Sequence, residues 1–161
     1  MIDLPVLLEI KSQLAIAKTL HVLSFVIWVG GMFFVYNALR PVVTILLKPN
    51  QRLPLMSQVL NRFTAWVWLA LILLWVSGVW LILLYGGMAN VQPYVHAMLL
   101  LATIMTFVFL YLVFAPLRSL KLAIANKDLK SAAKFLARIR WIIFTNLSLG
   151  LLTIIIVTAG K

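Results

Sequence analysis

Three stretches of the chain carry no aspartate, glutamate, lysine or arginine: residues 19–39, 63–117 and 141–160, which are 21, 55 and 20 residues long. A helix needs about 20 predominantly apolar residues to cross the hydrocarbon core of a bilayer. The first and last windows therefore each hold one crossing. The middle window holds two, because Gly86-Gly87-Met88-Ala89-Asn90-Val91-Gln92-Pro93 interrupts it with turn formers. In lipid every backbone polar group must be bonded within the protein, so spans are helices or closed barrels, and windows this long and apolar mean helices. Composition agrees: 65% of the 161 residues are hydrophobic and 11% charged, against about 25% charged in soluble domains. That much apolar side chain cannot be hidden in so small a core. The expected fold is an all-α integral membrane four-helix up-down bundle, a single transmembrane domain over residues 1–161. Its spans are expected at about 14–39, 62–85, 94–117 and 138–160, joined by basic loops at 40–61 and 118–137.

The charges outside the spans give the orientation. Arg40, Lys48, Arg52 and Arg62 lie between spans one and two, and Arg118, Lys121, Lys127, Lys130, Lys134, Arg138 and Arg140 between three and four. The other side carries Lys11, Lys18 and Lys161, with no charge in the turn between spans two and three. Eleven basic residues against three put both termini on the outer, periplasmic side by the positive-inside rule. The net charge of +11 is thus a topology signal, with the loops held against anionic headgroups, and no sign of nucleic-acid binding. The leading MIDLPVLLEIK has two acids and lacks the basic start of a signal peptide. No small-residue cleavage site follows, so span one is expected to be retained. The absence of cysteine excludes disulfides, iron–sulfur clusters and thiolate metal sites. Residues 127–140 read as helix, because Lys127, Lys130, Lys134 and Arg138 recur at three- and four-residue steps; span four is expected to begin inside this loop.

Both histidines, His21 and His96, fall inside spans. An ionisable group there is costly and is a functional hypothesis by default. Each is the third residue of its apolar stretch, roughly 3–5 Å inside its helix. Spans one and three run in the same direction, so the two imidazoles share one depth, and diagonal helices of a bundle can bring two such side chains to one cofactor. Two imidazoles can hold a haem iron from both faces, or supply two ligands to copper. A copper site needs a further ligand. Met98 is nearest in sequence, but residues two apart on a helix point about 200° away from each other, so His96 and Met98 do not readily aim at one ion. Met32 lies about 16 Å deeper than His21, and Met88 sits in the turn. Bis-histidine haem needs no third ligand and is the more economical reading. His21, Trp28 and Gly31 fall near one face of span one, and Gly30-Gly31 weakens that helix unless something flat or another helix approaches. Lys18, one turn outward from His21, is placed either to pair with a haem propionate or to snorkel to the headgroups. Asn37 and Asn146 have similar depth near the other end and are expected to hydrogen-bond across helices, with room beside them for a quinone or other substrate.

A family resemblance runs over nearly the whole chain. It is carried by Leu20-His21-Val22-Leu23, Trp28-Val29-Gly30-Gly31-Met32-Phe33-Phe34, Leu39-Arg40-Pro41, Gln51-Arg52-Leu53-Pro54-Leu55, His96-Ala97-Met98, Phe114-Ala115-Pro116 and Asn146-Leu147-Ser148-Leu149-Gly150. These resemble small bacterial CopD-family membrane proteins, whose name derives from copper resistance. The His-to-Trp-x-Gly arrangement of span one is also similar to HemJ-type protoporphyrinogen oxidases, four-span haem b proteins, and that likeness implies haem ligation by His21. Where that family has a lysine early in span three this chain has Met98, which argues against the oxidase activity and leaves His96 or Met98 as second axial ligand. The resemblances imply a bacterial inner-membrane protein that holds haem b between spans one and three, as an electron carrier or a haem-dependent oxidoreductase. Its partners would be the lipid bilayer and a redox partner or quinone, with a homo-oligomer left open. The alternative is a protein that binds copper or passes it through the bundle.

Overall fold

A computed structural model describes residues 4–160, nearly all of them helical. α1 (Leu4–Phe34), one π-helical turn (Val35–Leu39) and α2 (Arg40–Leu46) form a continuous rod. α3 (Pro49–Leu84) returns. After a short turn with one 3₁₀ segment (Met88–Asn90), α4 (Pro93–Leu112), a second π turn (Val113–Leu117) and α5 (Arg118–Ala125) make the third rod, and α6 (Leu129–Ala159) the fourth. The rods Leu4–Leu46, Pro49–Leu84, Pro93–Ala125 and Leu129–Ala159 are each long and apolar enough to cross a membrane. The all-α four-helix bundle expected from the charge-free windows is what forms.

The helices outrun their spans. The first rod has 43 residues, about 65 Å at 1.5 Å per residue, against a hydrocarbon thickness of about 30 Å. The basic loops expected at 40–61 and 118–137 are therefore mostly helix. The first consists of α2, a turn at Leu47 and Lys48, and the start of α3; the second of α5, a turn at Asn126–Asp128, and the start of α6. Arg, Lys, Gln, Leu and Met are all good helix formers, so a charge map marks the membrane boundary but not the helix end. Lys161, counted above with the termini, lies outside the described residues.

Specific residues stop and start the rods. Pro49 and Pro93 open α3 and α4 in the first turn, where the missing N–H has no helical partner to lose. α3 ends in a Schellman motif: Gly87 N–H bonds Ile82 O at 2.9 Å and Gly86 N–H bonds Leu83 O at 3.0 Å. Both glycines have positive φ, +86° and +95°, which other residues adopt only with strain. Lys127, at φ +57°, serves the same role after α5. Asp128 then caps α6 by accepting from Ser131 N–H at 3.0 Å.

α1 packs along α3 and α4 along α6, while α6 also touches α1 and α3. Spans two and four thus form the short diagonal of the bundle. Phe109 of span three packs T-shaped against Trp68 of span two, at 5.3 Å, and Trp28 of span one, at 6.1 Å between ring centroids. Trp28, Leu60, Val67, Met105, Leu120 and Ile139 are among the most deeply buried residues. Phe33, Trp66, Ile72, Phe107, Phe114 and Ile155 are exposed on the outside of the bundle, as a lipid-facing surface requires.

Candidate functional site

At the end of the bundle that carries the termini, the four rods enclose a cavity of about 60 Å³. α1 contributes His21, Phe25 and Trp28, α3 contributes Leu74, Trp75 and Gly78, α4 contributes Val95, Met98, Ala102 and Met105, and α6 contributes Thr153. His21 lies against α3 because residue 78 is glycine: a Cβ there would stand 3.2 Å from the imidazole Cε1.

One hydrogen bond defines the chemistry of His21. Its Nδ1 lies 3.1 Å from Ser77 Oγ. Ser77 is buried, and its hydroxyl points at the Leu73 carbonyl at 2.6 Å, with the Leu74 carbonyl at 3.2 Å. A hydroxyl has a single hydrogen. That hydrogen goes to a carbonyl, so Ser77 Oγ accepts from His21, and the imidazole is assigned the Nδ1–H tautomer. In that tautomer Nε2 is the nitrogen with the lone pair available to a ligand. A second nitrogen tied in this way orients a ligating histidine. The sulfurs come from one stripe of α4: Met98, Ala102 and Met105 recur at four- and three-residue steps and so share a face.

The other anticipated residues divide. Trp28 and Met98 line the cavity with His21. His96 does not: it is exposed and lies off the stripe that runs from Val95 through Met98 to Met105. The two histidines expected to share one cofactor are therefore not brought together at this cavity, because the helix turns His96 outward. Gly31 meets Phe63 of α3 instead of the cavity. Lys18 is exposed, with its Nζ 5.9 Å from the centre of the Tyr85 ring. The expected Asn37–Asn146 bond is not formed, because Asn37 is exposed and donates to Phe33 O at 3.2 Å, whereas Asn146 is buried with its Oδ1 unpartnered.

A haem does not fit this arrangement. A cavity of about 60 Å³ has room for a few waters or one ion with its ligands, and a porphyrin is many times larger. Among the described residues no three of His, Asp and Glu come together. The nitrogen and sulfur ligands that line the cavity are the His21 imidazole and the Met98 and Met105 thioethers. Ser77, Gly78 and Met105 escaped the sequence reading. Met105 had a usable signal, lying seven residues after Met98, whereas Ser77 had only its place as a small polar residue in an apolar span.

Two further cavities continue along the bundle. The middle one, about 20 Å³, is bounded by Trp28, Met32, Phe109 and Asn146, and one water fits it. The third, about 230 Å³, lies at the opposite end and is bounded by Met56 and by Arg40, Arg52 and Arg140. Trp28 is a wall common to the first and second, and Leu60 and Ile143 to the second and third.

A family model described as copper resistance protein D matches residues 57–159, nearly two thirds of the chain, taking in most of α3 and all of α4 to α6. Ser77, Gly78, Met98 and Met105 lie within that match, and His21 lies before it. No curated protein and no solved structure gives a significant match. With four membrane-crossing helices and this match, the chain belongs to the copper resistance protein D (CopD) family of bacterial inner-membrane proteins.

Proposed function

We propose that the protein binds copper within the membrane and passes it through the bundle as the monovalent ion. The observation that carries this reading is the coincidence of thioethers with cavities. Met98 and Met105 line the first, Met32 the second and Met56 the third. Of the described methionines only Met88, in the turn, lies off this line. Thioether sulfur is a soft ligand that suits Cu(I), and imidazole also binds copper. His21 adds a nitrogen ligand through Nε2, and the neutral sulfurs beyond it offer weaker sites from which an ion can move on. Family membership supports copper over other soft ions. A haem between His21 and His96 is not adopted, because His96 is exposed outside the cavity and the cavity cannot take a porphyrin.

Proteoliposomes loaded with a Cu(I)-selective dye test the proposal, with external copper kept reduced by ascorbate. Wild-type vesicles are expected to fill faster than protein-free ones. His21→Ala and Met105→Leu should each slow filling about tenfold or more, since the second removes only the sulfur at nearly constant volume. Met88→Leu should change nothing. Filling no faster than in empty vesicles, or equal rates in all variants, would overturn the reading.

A further inference from the structure

The third cavity has a second character that copper does not explain. Among the described lysines and arginines only Arg40, Arg52 and Arg140 are partly buried, and all three line this cavity; every other one is exposed. They arrive from three elements, α2, α3 and α6. No carboxylate is near them. The acids of the described chain are Glu9, at the opposite end, and Asp128, which is engaged with Ser131. Guanidinium stays charged at any working pH, and partly burying three like charges with no counter-ion is unfavourable. Aromatic faces offset only part of this: Arg40 Cζ lies 5.8 Å from the Tyr36 ring centre and Arg140 Cζ 5.6 Å from that of Trp141.

We propose that this cavity is a binding site for a phosphate group, borne either by a lipid headgroup or by a free phosphate. The volume of about 230 Å³ accommodates a phosphate with some of its water. Three planar forks of N–H donors match phosphate oxygens in pairs, which ammonium groups do not. Tyr36 lines the same cavity, and its hydroxyl can donate a further bond. Thr44 cannot, because its hydroxyl is given to Arg40 O at 2.8 Å. The backbone is also irregular here. The π turn at Val35–Leu39 sits directly before Arg40, whose N–H bonds Val35 O five residues back, and such turns recur at functional sites. A phosphate bound here also removes the barrier that three positive charges set against a cation reaching Met56.

Thermal unfolding of the detergent-purified protein, followed by tryptophan fluorescence, tests the site without copper. One arm adds inorganic phosphate against sodium chloride at equal ionic strength. The other adds phosphatidylglycerol micelles against phosphatidylcholine. A free-phosphate site raises the midpoint in the first arm, by a few degrees at about tenfold excess over Kd. A headgroup site raises it only in the second arm, with a phosphatidylglycerol adduct in native mass spectra. Arg52→Gln should abolish whichever rise occurs and, by relieving like-charge repulsion, leave the phosphate-free midpoint equal or higher. Lys134→Gln, an exposed change, should keep the rise. No rise in either arm, or an undiminished rise in Arg52→Gln, overturns the proposal; an arginine with a merely structural role would lower the phosphate-free midpoint instead.

Discussion

The Ser77 hydroxyl gives its hydrogen to a backbone carbonyl of its own helix and meets His21 Nδ1 as an acceptor. Ser77→Ala removes that acceptor and touches no ligand. The buried Nδ1–H then loses its partner and the second tautomer becomes competitive, so Nε2 carries a proton for part of the time. Cu(I) affinity, read by competition with a chelator, is expected to fall about ten- to a hundredfold, the usual effect of losing such a support. Unchanged affinity would mean that Ser77 does not set the tautomer. A second residue-scale expectation concerns Asp128, whose carboxyl is held below its ordinary range chiefly by the hydrogen bond from Ser131. A depressed folded value means that stability is present above the unfolded pKa of about 3.9 and is lost as pH falls through the folded one. Amide exchange at Leu129 to Ala132 should thus show loosening only under acid conditions, and Asp128→Asn, which keeps an oxygen cap without the charge, should remove that pH dependence. An identical acid response in Asp128→Asn would show that another group is responsible. What the sequence makes legible at this scale is the candidate itself: His21 does line a cavity. Which way each side chain turns depends on the neighbours of its helix, and there Met98 faces inward where His96 does not.

Two pairs of features show how elements adapt to their neighbours. Both π turns sit at a proline, Pro41 just after the first and Pro116 within the second. Proline removes a helical N–H and presses on the carbonyl four residues back, and a widened turn relieves the clash without breaking the rod. Gly30 and Gly150 are both mid-helix but face different surroundings. A Cβ on Gly30 would meet nothing within 4 Å, while one on Gly150 would stand 2.8 Å from Val29 Cγ2 and 3.3 Å from Met105 Cε. Replacing helical glycine by alanine gains about 1 kcal/mol from the backbone; overfilling a packed contact costs about 1–3 kcal/mol. Gly30→Ala should therefore stabilise the protein and Gly150→Ala destabilise it, measured as opposite shifts of the unfolding midpoint in one detergent. Equal shifts would show that the α1–α6 contact is loose. The double glycine of span one was legible as a site of close approach, but only Gly31 meets a partner, Phe63. The turn at Gly86-Gly87 was legible because its chemistry is local, whereas the helical course of the basic segments was not, since the charges there report water and not the end of a helix.

For the molecule as a whole, two unlike ends follow from one charge distribution. The end with the termini holds the apolar cavity of His21, Met98 and Met105, and the opposite end holds the three arginines above both basic connections. That second cavity could not be read from the sequence, because Arg40, Arg52 and Arg140 look like ordinary loop charges until three helices bring them together. Eleven of the fourteen basic residues lie toward the arginine end. We propose from the positive-inside rule that this end is cytoplasmic, which would put the imidazole–thioether cavity toward the periplasm and the proposed phosphate site toward the cytoplasm. Copper would then meet its strongest ligands first and the arginine cavity last. The native chain has no cysteine, so single cysteines report cleanly. Pro49→Cys and Asn126→Cys, one in each basic connection, should resist a membrane-impermeant maleimide in intact spheroplasts and react once the membrane is opened. A cysteine at Gly87, in the uncharged turn between spans two and three, should react in intact spheroplasts. Labelling of Pro49→Cys or Asn126→Cys from outside would invert the molecule, and with it the direction in which His21 and the arginines are reached.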